Sequence, residues 1–176
     1  MKTLLKTTVF VAAGILLSLN SFAKKDTPTK DVTAQAAIEG RSGSQTAGTV
    51  DFKQINDDLK ISYNITGLKA NSTFGFHIHE KGDCSSADAK SAGSHFHKMA
   101  ETGGTSKQTP GAFAGDLPAI KSDAQGVASG SVTTNKVSLN KVNAVDGLSI
   151  MIHGGPDDVK ESSPPRIGCG VIKMTK

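Results

Sequence analysis

Five histidines carry whatever chemistry this chain performs. His77 and His79 lie in "GFHIHEKGDC", residues 75 to 84. His95 and His97 lie in "AGSHFH", and His153 closes "LSIMIH". Four of the five fall within 21 residues, and the fifth ends another strand-like run. In an extended chain alternate side chains share a face, so His77 and His79 stand side by side, about 7 Å apart. Phe74, Phe76 and Ile78 take the opposite face. Such a strand is either half-buried with a polar outer face or one wall of a metal site. The clustering of all five rings favours a metal. An all-imidazole site without a free thiolate suits copper, zinc or nickel, and copper(II) binds nitrogen ligands most tightly along the first-row series.

The elements that must position these rings are short strands. "AQAAIEG", "TVDFKQI", "LKISYNI", "FGFHIHE", "PAIKSD", "GVASGSVT", "LSIMIH" and "CGVIKM" are separated by turn residues. In the third run Leu59, Ile61, Tyr63 and Ile65 share one face. Eight short runs, 19 glycines and little helical periodicity predict an all-β fold, an eight-stranded antiparallel Greek-key barrel or sandwich. A 37-residue stretch from Lys81 to Leu117 has no strand pattern and begins directly after the histidine strand. Loops of that length inside one domain tend to be functional.

Residues 1–23 read as a secretory signal peptide. Lys2 and Lys6 precede an apolar run, and Ser21-Phe22-Ala23 is a small-x-small cleavage pattern. Residues 24–33 read as a polar tether and 34–176 as one domain. Removing the two leader lysines lowers the formal +4 to +2, too little to argue for nucleic acid, and no later segment could span a membrane. Cys84 and Cys169, the only cysteines, are expected to pair in an exported chain. The expected location is periplasmic or secreted. "NIT" at Asn64 and "NST" at Asn71 are sequons that matter only in a eukaryotic secretory route.

In order, "GFHIHEKGDC", "AGSHFH", "GDLPA", "IMIHGG" and "RIGCGVI" resemble the copper/zinc superoxide dismutase family over about residues 34 to 175. The resemblance implies a Greek-key barrel with its metal site on the outer side under two long loops. It implies His77, His79, His95 and His153 as copper ligands, with His95 bridging to zinc and carrying a proton. Asp116 matches the zinc-binding aspartate, and Arg166 the arginine that guides superoxide. Cys84 and Cys169 match the family disulfide. A homodimer is compatible with the family.

The zinc half departs from the pattern. The family uses three histidines and an aspartate there, yet no histidine lies between His97 and His153. Phe113 stands where one should be, and "GGTSKQTPG" offers Gln108 for the other. His95, Asp116 and His97 are what remains for zinc, which wants four ligands. Zinc is therefore expected to be weak or absent, with Asp116 or His97 hydrogen-bonding the second nitrogen of His95 instead. The loop from His153 to Arg166 is short for the family but keeps Asp157 and Asp158, and the resemblance matches one of them, Asp157 first, to an aspartate that links the copper and zinc ligand histidines by hydrogen bonds. The expected function is copper-dependent dismutation of superoxide. The alternative is an exported copper store or delivery protein, against which the retained Arg166 argues.

Overall fold

The computed structural model describes residues 31–97, 113–157 and 164–176. The leader expected at 1–23, Gln108 and Asp158 lie outside them. Strands β1 (Thr33–Gly40), β2 (Ala47–Ile55) and β3 (Asp58–Thr66) are joined by tight turns. β4 (Thr73–Phe74) and β5 (Phe76–His79) are separated only by Gly75. β6 (Ile120–Lys121), β7 (Ala128–Thr134), β8 (Ser149–His153), β9 (Arg166–Val171) and β10 (Lys173–Met174) complete the set. The main sheet runs β5-β8-β9-β1-β2-β3-β7, with β10 added on β1, and every strand pair is antiparallel. β4 pairs with β6, which ties the β5 edge to the β7 edge and curls the sheet into the Greek-key barrel. The expected runs became strands, with "FGFHIHE" and the C-terminal run each split in two.

Alternation fills the barrel. Phe52, Leu59, Ile61, Ile65, Phe76, Ile78, Ile150, Ile152 and Ile172 are fully buried in one core. Tyr63 is half-buried at its edge, its ring 5.5 Å from that of Phe76. β8 shows the logic plainly. Ile150 and Ile152 point into the core, whereas Met151 joins Ala89, Ala92 and Cys169 in a second apolar cluster on the other face. That cluster docks the loop after β5 against the barrel wall. The Cys84–Cys169 disulfide fastens it there, joining residues 85 apart in sequence.

The histidine strand differs from the half-wet strand that its alternation suggests. All four residues of β5 are buried, His77 at 3% and His79 at 0% exposure. Its free edge is paired by loop backbone rather than by a strand. Phe96 N–H donates to the Ile78 carbonyl at 2.8 Å, and Ile78 N–H to the Gly115 carbonyl at 2.9 Å. Sheet edges carry unpaired amides that need such cover. Here the cover also brings residues 95 and 116 to the histidines.

Candidate metal centre

β5 supplies His77 and His79 on one face, as the period of two requires. β8 ends in His153, where a β-bulge shifts the register between Ile152 and His153. Bulges re-aim side chains beside sites, and this one falls at the last histidine. The loop over β5 adds His95 through a backbone bridge to His79, and Asp116 through a bridge to His77. The ring centroids of His95 lie 4.1 Å from His77, 4.9 Å from His79 and 5.5 Å from His153. His77, His95 and His153 each place a ligand atom within 4.8 Å of the others.

Hydrogen bonds from behind fix how three of these rings face the centre. His79 Nδ1 donates to the Gly93 carbonyl at 3.0 Å, and His153 Nδ1 donates to the Pro164 carbonyl at 3.1 Å. A carbonyl only accepts, so each ring carries its hydrogen on Nδ1 and presents a bare lone pair at Nε2. Those two Nε2 atoms sit 3.3 Å apart in a fully buried position. Burial, chiefly, pushes the His79 imidazole down to about 2 and the His153 imidazole down to about 4, so neither ring readily takes a proton to bridge them. Two converging lone pairs without a hydrogen between them fit a cation. The donor set, imidazole nitrogen throughout, fits copper.

Asp116 sits behind the third ring. Its Oδ1 lies 3.2 Å from His95 Nδ1 and 3.2 Å from His77 Nδ1, and its Oδ2 accepts the Phe113 N–H at 3.2 Å. Burial alone would raise its carboxyl. The bonds from His77, His95 and Phe113 outweigh burial and hold it well below the ordinary carboxylate range. On the other side of His77, Asp157 Oδ2 approaches Nε2 to 2.8 Å, without the alignment of a hydrogen bond. Gly75 makes room for that approach, since a Cβ there would meet Asp157 Oδ1 at 2.5 Å and His77 Nε2 at 3.0 Å.

His97 stands apart from the other four rings. It is exposed and stacks on Phe113, centroids 4.1 Å apart. Arg166, half-buried at the start of β9, donates from Nη1 to the Ala89 carbonyl at 2.8 Å. Burial shifts its guanidinium downward and the Asp88 charge opposes that shift. The carbonyl anchors at Gly93, Pro164 and Ala89 escaped sequence reading, because a backbone acceptor leaves no residue-type signal.

Residues 46–172 match the family model described as copper/zinc superoxide dismutase. A Cu-Zn superoxide dismutase of Candida glabrata is 37% identical over 154 residues, covering 82% of this chain and 99% of the relative. That of Saccharomyces cerevisiae is 35% identical, again over 82% of this chain and 99% of the relative. A bacterial relative, Cu-Zn superoxide dismutase 2 of Aquifex aeolicus, is 33% identical over 93% of this chain and 96% of its own length.

Proposed function

Because this chain belongs to the copper/zinc superoxide dismutase family and is a superoxide dismutase, we propose that it works with copper alone, held by His77, His79, His95 and His153. The reading is carried by the zinc half, where Phe113 stands in place of a family histidine and Asp116 hydrogen-bonds the rear nitrogen of His95. Two further features support it. His97 turns outward onto Phe113, and Phe113 offers no donor atom. Among the described residues, His95 and Asp116 are two ligands where zinc wants four.

Bound copper supplies one-electron cycling, by which one superoxide is oxidised to dioxygen and a second is reduced to peroxide. The chain's residues do the rest. Arg166 attracts the small anion and orients it by charge-assisted hydrogen bonds. His79 and His153 are locked to carbonyls from behind and keep their Nε2 atoms aimed at one point. His77 lies between two carboxylates, Asp116 Oδ1 at Nδ1 and Asp157 Oδ2 at Nε2, and its Nδ1 would serve copper in place of Asp116. His95 is the ring open to water, its side chain 26% exposed against 4% for His77. Its Nδ1 is held by Asp116, so Nε2 is the atom that would serve copper and, when free of it, would carry a proton from solvent toward the peroxide. Export to an oxidising compartment accords with the disulfide and the leader-like N-terminus.

The test compares dismutation by the full chain loaded with copper in zinc-free buffer and with both metals, beside metal analysis. Similar rates with one copper and no tightly held zinc are expected. Asp116→Asn should slow turnover or weaken copper by about 10–100-fold, as loss of a ligand-orienting partner does. A rate that needs stoichiometric zinc would overturn the copper-only reading. Negligible turnover with copper fully bound would favour storage or delivery.

A further inference from the structure

The turn that follows β1 makes two hydrogen bonds to the start of β9. Arg41 N–H donates to the Ile167 carbonyl at 2.9 Å, and Ser42 Oγ to the Arg166 carbonyl at 2.9 Å. The same two residues reach the disulfide-bearing loop. Arg41 Nε donates to the Cys84 carbonyl at 2.7 Å, and Ser42 N–H to the Ala87 carbonyl at 2.7 Å. Two residues beyond Ala87, the Ala89 carbonyl accepts Arg166 Nη1. The contacts form a closed circuit: from the Arg166 backbone to the turn, to the loop, and back to the Arg166 guanidinium. Each nitrogen of the Arg41 guanidinium is engaged, with Nη1 on the Gly40 carbonyl at 2.8 Å and Nη2 on Glu39 Oε2 at 3.0 Å. Its side chain is only 17% exposed. Ala89 itself holds a left-handed φ of 55°, which alanine rarely adopts, so its carbonyl direction depends on the loop being pinned.

We propose that Arg41 is a positioning residue for Arg166: it clamps the Cys84–Ala89 segment to β9 so that the Ala89 carbonyl holds the Arg166 guanidinium in one direction. The inference rests on the reading of Arg166 as the guide for superoxide. It assigns the accuracy of that guide to a residue outside the metal centre. A planar fork with three fixed acceptors does this, and a lysine ammonium does not.

Arg41→Lys and Arg41→Ala separate geometry from charge, since lysine keeps the charge and loses the fork. Two readouts are used. One is the affinity of the copper-loaded protein for azide, a small anion probe. The other is hydrogen exchange of the Arg166 guanidinium in the metal-free protein by NMR. Both variants should bind azide about tenfold more weakly, and kcat/KM should fall with it, as small misplacements of orienting groups do. The Arg166 guanidinium hydrogens should exchange faster, with copper content and disulfide intact. Ser42→Ala, which removes one bond to the Arg166 carbonyl, should shift both readouts the same way and serves if the Arg41 variants fail to fold. The proposal is overturned by wild-type azide affinity and exchange in these variants, by an effect in Arg41→Ala that Arg41→Lys fully rescues, or by loss of the disulfide or of copper. Arg166→Ser is the parallel arm. If it loses azide affinity while the Arg41 and Ser42 variants do not, only the clamp fails. If it too is unchanged, the guide reading fails and the clamp with it.

Discussion

His79 and His153 are buried, neutral and tied to carbonyls through Nδ1, and this sets how the metal-free protein responds to acid. Their ordinary value is 6.5, and burial brings them down to about 2 and about 4. Below about pH 6.5 the unfolded chain therefore takes up protons that the folded chain refuses. Folding stability rises with pH wherever the unfolded state binds more protons. The contribution is intact above pH 6.5 and drains away as pH falls toward 4 and below. Melting temperatures of the metal-free protein should drop steadily from pH 7 to pH 4, and a flat profile across that window would contradict the buried-neutral assignment. Asp116 adds chiefly at the acid end: its folded carboxyl is held below the ordinary 3.8, so the unfolded chain binds that proton first and stability falls further as pH drops through about 4. The ring pair on β5 could be read from alternation alone. The carbonyls behind the rings could not, since Gly93 and Pro164 belong to segments with no periodic pattern.

The elements work by bringing irregular loop backbone onto a regular edge. β5 is short, and the segments around Phe96 and Gly115 pair its free side as a neighbouring strand would. The sequence showed the strand and the loop, but not that the loop doubles as sheet, because backbone pairing carries no side-chain signature. It also could not show which of His97 and Asp116 would stand behind His95, and the structure selects Asp116. Gly75, between β4 and β5, is where this arrangement is most sensitive to one added atom. Gly75→Ala would drive a methyl against Asp157 Oδ1 and His77 Nε2, pushing the exposed carboxylate away from a buried ring. We expect a folded barrel with an unchanged β-sheet circular dichroism spectrum and a measurably lower copper affinity in a chelator competition. Unaltered affinity would mean that Asp157 does not support His77.

For the molecule as a whole, the disulfide and the second apolar cluster hold the loop that carries the Ala89 anchor. The double variant Cys84→Ser/Cys169→Ser should lose about 2–5 kcal/mol in denaturant unfolding, the usual loss for a native bridge. An unchanged unfolding midpoint would show that Met151, Ala89 and Ala92 suffice to dock the loop. The barrel also has an unusual seam. β1 takes its partners from both ends of the chain: β2 on one side, and on the other β9 and β10, the last strands to be made. Thr33 and Thr175 even share a side-chain hydrogen bond. A chain that emerges N-terminus first, from a ribosome or through a translocation pore, cannot close this seam until β9 and β10 follow. Folding dominated by such distant pairings is slow. Until then β1 waits with one edge bare, and a chain truncated before β9 would have nothing to pair it.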